Sequence, residues 1–151
     1  MLSSGNVTEG FAVPGKRLVS LVFGAFMGVL AMNTDASAQS RRDAQDVLQL
    51  LLDSRELGQY FHFDADPQRV PLRILDASGL AADAPSLTAA GRKVVIAKDK
   101  DPRALEIRSL VIAGDSAEIR YAFPIEGVTG EGHFVRRDGA WRAERILARE
   151  H

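Results

Sequence analysis

The 151-residue chain contains no cysteine. That excludes disulfides, thiolate metal sites, a cysteine nucleophile and the acylated cysteine of a lipoprotein. Histidine is scarce, with His62, His133 and the terminal His151, so an imidazole base or ligand has few places to sit. A surplus of one charge is missing too: 19 Lys and Arg stand against 20 Asp and Glu, a net of −1. Without a basic excess there is no counterion release to drive nucleic-acid binding, and no polybasic stretch to hold an anionic membrane. A Gly-x-Ser-x-Gly elbow, a phosphate-cradling Walker loop, a dinucleotide fingerprint and a His-Glu-x-x-His helix are all absent. Asp64-Ala-Asp66 starts like a calcium loop, yet Arg69 stands where that loop turns on Gly and Leu75 where it closes on Glu.

What the chain does have begins with an address. Lys16 and Arg17 precede an uncharged run from Leu18 to Met32, and Ala36-Ser37-Ala38 then supplies small residues at a cleavage position. A helix of about fifteen residues is about 22 Å long, short of the roughly 30 Å hydrocarbon core, which argues against a stable span. The pattern predicts a cleavable signal peptide over residues 1–38, with Ala36 and Ala38 at the cut, and a small soluble α+β domain over residues 39–151 in the periplasm or outside the cell. A retained anchor and a buried core helix are the alternatives. No Arg-Arg pair precedes the apolar run, which favours export in the unfolded state and disfavours a cofactor loaded in the cytoplasm; no cofactor is expected. Cleavage removes Lys16 and Arg17 together with Glu9 and Asp35, so the remainder keeps its near neutrality.

Ser40-Arg-Arg-Asp43 reads as a capping box that opens a helix. Ala44, Val47, Leu48, Leu51 and Leu52 then follow the i, i+3, i+4 spacing of one apolar face, and Gly58 is a natural stop. Tyr60–Phe63 and Val70–Leu75 are β-prone runs that suggest an irregular hairpin, with Pro71 placing the second at an edge or outside the sheet. Residues 78–92 suggest a short helix around Pro85–Ala90 or a loop, Val94–Ala97 a brief apolar run, and Lys98–Arg103 a solvated connection. From Ala104 the pattern is that of an antiparallel meander. Ile119, Tyr121 and Phe123 alternate with polar neighbours, a phase change at Ser109-Leu110 suggests a bulge, and Asp138-Gly139 fits a type I′ hairpin. The expected fold is α+β, an N-terminal helix on a curved antiparallel sheet of about four to six strands.

This helix, the sheet bent at Gly127, Gly130 and Gly132, and the closing Arg137-Asp-Gly-Ala-Trp-Arg142 hairpin resemble the ending of NTF2-like and cystatin-like domains. The resemblance covers about the last 45 residues and implies a curved sheet wrapped around a helix. It carries no catalytic Asp or His of the family onto this sequence.

Candidate chemistry is sparse. His62 with Asp64, and Glu131 with His133, each share one side of a strand by the period of two, and together they offer four ligands for a divalent ion if the strands meet. The competing reading is an ordinary exposed histidine, since His133 lies opposite Phe134 on its own strand. Tyr121, Phe123 and Trp141 suit an aromatic recognition surface, or else the core that Ile119 already points to. Arg136, Arg137, Arg142, Arg145 and Arg149 make the last hairpin locally basic, diluted by Asp138, Glu144 and Glu150. These features lead to a noncatalytic exported domain that binds a protein or an envelope component, of inhibitor, immunity or accessory type, with no metal and no nucleic acid. The rival expectation is an NTF2-like pocket that binds or transforms a small molecule.

Overall fold

The computed structural model describes residues 22–79 and 86–151, with side chains from Ala36 onward. The chain divides into two compact units, Met1–Thr34 and Asp35–His151; all packing below belongs to the second. Helix α1 spans Val22–Leu52 and a single-turn α2 spans Arg55–Gly58. The helix thus does not open at Ser40. The Ser40 hydroxyl donates instead to the carbonyl of Ala36 at 3.0 Å, a bond to the preceding turn that a serine inside a helix makes. Nor does α1 run to Gly58: it ends at Leu52, and Ser54 caps α2 by accepting the Leu57 N–H at 3.3 Å.

Seven strands form one curled sheet on which the helix packs. They are β1 (Leu72–Asp76), β2 (Thr88–Ala89), β3 (Arg92–Ile96), β4 (Leu105–Ala113), β5 (Ser116–Phe123), β6 (Val128–Arg137) and β7 (Ala140–Glu150), in the order β2-β3-β1-β4-β5-β6-β7. The α+β class holds, while the sheet is larger than expected and mixed, because β1 pairs in parallel with both β3 and β4. Pro71 does not push that strand to an edge. It stands just before Leu72, so its missing N–H removes nothing from either ladder and β1 lies in the interior of the sheet. Tyr60–Phe63 forms no strand: His62 has φ +48°, and Phe61 stacks on Phe63 with ring centres 5.1 Å apart. Thr88 and Ala89 form an edge strand where a helix or loop was expected, and Pro85 lies outside the described residues.

The meander from β4 to β7 matches its pattern. Asp138 and Gly139 have φ of +54° and +77°, the pair of positive angles that a type I′ turn requires. The β4 bulge lies one residue earlier than its phase change suggests. Ile107 pairs with Tyr121 and Ser109 with Arg120, which leaves Arg108 as the extra residue.

The helix face and the inner face of the sheet form one core. Ala44, Val47, Leu48 and Leu51 are completely buried, among Phe61, Leu72, Ile74, Ile107, Ile119, Tyr121, Phe123 and Phe134. Each such leucine or isoleucine contributes about 1.5–3 kcal/mol by leaving water. Two polar contacts fix where the helix lies. At one end Asp43 meets β6 and β7; nearer its C-terminus the Gln49 amide donates to the Thr88 carbonyl and accepts the Thr88 N–H, both at 3.0 Å. The side chain thereby occupies a backbone pairing position of the edge strand β2.

Candidate functional site

Asp43 is the buried charged side chain among the described residues. Its Oδ1 accepts from Trp141 Nε1 at 3.2 Å and from Gln39 Nε2 at 2.9 Å. Arg136 Nη2 lies 2.5 Å from Oδ2 as an ion pair. The guanidinium also sits 4.6 Å from the centre of the Trp141 ring, a cation–π contact. Burial raises the Asp43 pKa, but the contacts of Arg136, Trp141 and Gln39 outweigh it and hold the carboxyl below its ordinary value. The group is an anchor with its lone pairs occupied.

Trp141 and Tyr121 are therefore core residues. Tyr121 donates its hydroxyl to the Leu147 carbonyl at 2.9 Å, and its ring lies directly over Gly130. A Cβ at Gly130 would come within 2.2 Å of the Tyr121 ring and 2.3 Å of the Leu147 oxygen, so only glycine lets the phenol cross β6. Burial, with the charges of Tyr60 and Glu56, pushes the phenol pKa up to about 12. Gly132 makes equivalent room for the rings and methyls of Phe134 and Ile119.

The four proposed metal ligands do not assemble. His62 Nε2 lies 3.4 Å from Glu126 Oε2, in a cluster where Arg69 also pairs with Glu126 and reaches Asp66 at 3.2 Å. Asp64 instead takes Arg92 at 2.7 Å. On β6, His133 Nδ1 meets Glu144 at 2.9 Å and Glu131 meets Arg145 at 3.5 Å. Among the described residues no three His, Asp or Glu side chains converge as a metal site. The reason is local: without a strand at residues 60–63, the period of two that placed His62 beside Asp64 does not operate.

The outer face of the sheet holds several shallow depressions, two of them adjoining. One, of about 220 Å³, is lined by Arg108, Arg120, Thr129, Glu131, Leu147 and Arg149, with the backbone at Tyr121 and Gly130 beneath. The second, of about 230 Å³, lies beside it over Glu118, Gly132, His133 and Arg145 and shares Arg120 and Glu131. Of the arginines that made the last hairpin read as basic, only Arg149 reaches the first depression. Arg108 and Arg120 come from other strands, and no linear cluster announces them. Their signal lay in the outward phase of β4 and β5, legible only once β4, β5 and β6 are known to be neighbours.

Comparison with protein-family models, with curated proteins and with solved structures finds no match.

Proposed function

We propose that this chain is an exported, noncatalytic domain that binds a protein or an envelope component through its surface. The observation that carries the reading is the filled inner face. Tyr121, Phe61, Phe123, Phe134 and Leu48 are fully buried against one another there, and the acid among them, Asp43, has both oxygens engaged. A pocket that transforms a small molecule needs a volume and a free acid or base on that side. Export is supported by the Lys16-Arg17, Leu18–Met32 and Ala36-Ser37-Ala38 series, and by a compact unit that starts at Asp35, within one helical turn of the expected cut. No described helix is long and apolar enough to cross a membrane.

The test is to express the full-length chain with a C-terminal tag in a Gram-negative host, fractionate the cells and sequence the protein's N-terminus. A periplasmic product beginning at Gln39 is the expected result. Cytosolic protein that retains Met1 would refute the export half. Native mass spectrometry of the same product addresses the other half: a stoichiometric small molecule released by unfolding would favour the NTF2-like pocket instead.

A further inference from the structure

Three arginines that are far apart in sequence meet on the outer face of the sheet. Arg120 is on β5, Arg149 is on β7, and Arg108 is the extra residue of the β4 bulge. Arg108 follows the outward phase of β4, opposite the buried Leu105 and Ile107, and so brings a third guanidinium to the rim of the depression. Most other arginines on this face and the adjoining hairpin have a carboxylate: Arg137 pairs with Glu144 and Arg145 with Glu131, both at 3.5 Å. Arg120 and Arg149 have no acidic partner among the described residues, and Arg108 has only the loose contact to Glu106 at 3.8 Å. Glu131, the acid in the rim, is engaged by Arg145. Two cations without an ion-pair contact and a third weakly held thus face one small volume, in which Glu131, opposite Arg120 on β6, is the acid.

We propose that this depression binds a phosphate group, either free or carried on a lipid headgroup. A carboxylate is satisfied by one guanidinium fork, whereas a tetrahedral dianion offers enough oxygens for several, and the planar fork of arginine matches phosphate geometry. The volume of about 220 Å³ is below the roughly 300–1,000 Å³ of a pocket that encloses a whole organic ligand, and it suits one anionic group with its substituent projecting into solvent. Thr129, whose hydroxyl lies 2.6 Å from the His151 ring, adds a neutral polar group to the rim. The inference rests on the surface-binding reading above and names the chemistry of its ligand.

The test takes the protein purified from a host that expresses the full-length chain and titrates it with inorganic phosphate at constant ionic strength. A second arm sediments it with phosphatidylcholine vesicles made with and without phosphatidic acid. Saturable phosphate binding is expected, weakened about tenfold or more in Arg120→Gln and in Arg149→Gln and unchanged in Arg137→Gln, with circular dichroism unaltered in all three. Binding to phosphate without vesicle preference assigns a free phosphate ligand. Sedimentation with phosphatidic acid, reversed by inorganic phosphate, assigns the headgroup. Absence of both, equal affinity in all variants, an equal loss in Arg137→Gln, or vesicle binding that phosphate does not reverse would overturn the site. Cytosolic retention would refute export and leave a measured anion site intact; an exported protein that ignores phosphate would remove the site alone.

Discussion

The indole N–H of Trp141 donates to Asp43 across 98 positions of sequence, at 3.2 Å, and this bond ties the first helix to the last strand. Arg136 completes the tie from the neighbouring strand, stacked on the same indole and paired with the same carboxylate. Removing the acid leaves a partly buried guanidinium with only a loose 3.9 Å contact to Asp115, and an indole N–H without its acceptor.

Asp43→Ala is accordingly expected to cost about 2–4 kcal/mol, read from the urea midpoint. Asp43→Asn keeps an acceptor for Trp141 and costs less. The pH dependence follows from the lowered pKa in the folded state. The charged carboxylate contributes its stability above the unfolded value of about 3.9, and that contribution is lost as the pH falls through the lower folded value. The gap between the parent and Asp43→Asn should therefore close below about pH 4. A gap that persists unchanged to pH 2 would show that the charge is not what matters.

Tyr121 provides the alkaline counterpart. Its folded pKa of about 12 lies above that of an unfolded tyrosine, about 10, so the folded state holds the proton more tightly in between. Stability from this group is complete below pH 10 and lost as the pH rises toward 12. Tyr121→Phe should flatten the fall in stability over that interval, and should cost about 1 kcal/mol at neutral pH through the lost bond to Leu147. Absorbance at 295 nm should show one of the two tyrosines ionising only near pH 12.

Gly130→Ala is expected to destabilise the domain by about 1–3 kcal/mol or more, because the new methyl meets both a packed ring and a backbone oxygen. Gly132→Ala meets side-chain atoms only, Phe134 at 2.7 Å and Ile119 at 2.9 Å, which can shift. Denaturant midpoints should rank Gly132→Ala above Gly130→Ala. The reverse order would mean that Tyr121 does not cross β6 as described.

Gln49→Ala removes its hydrogen bonds to Thr88 and uncovers a two-residue edge strand. A loss of about 1 kcal/mol is expected, with at least tenfold faster amide exchange at Thr88 and little change at Val94 in the adjoining strand. Exchange at Thr88 that matches the parent would show that the amide does not hold the edge.

What the sequence revealed of the fold was its local patterning. The apolar stripe from Ala44 to Leu52, the alternation of Ile119, Tyr121 and Phe123, and the Asp138-Gly139 turn each report interactions within a few residues, and each is found as read. The misreadings have causes of the same kind. Ser40 looked like a cap because its side chain bonds locally in either setting, and only the helical residues before it decide which carbonyl it meets. Pro71 argued against a central strand, yet its effect on a ladder depends on which side of Leu72 the first pairing falls. β1 and β3 are short, and their parallel pairing joins segments about twenty residues apart, so no periodicity records it. For the candidate site the lesson is sharper. His62, Asp64, Glu131 and His133 drew attention through residue type, and each has a separate partner, while Arg108, Arg120 and Arg149 become a group only through strand order.

Strand β1 has a further consequence for how the molecule is assembled. It is the first strand in the chain, yet both of its neighbours, β3 and β4, come later. A polypeptide delivered from its N-terminus, by a ribosome or through a translocation pore, must present Leu72–Asp76 with two bare edges until Ile96 has followed, and with one until Ile107 has. The β4–β7 hairpins can close as they emerge; the older half of the sheet has to wait for the younger.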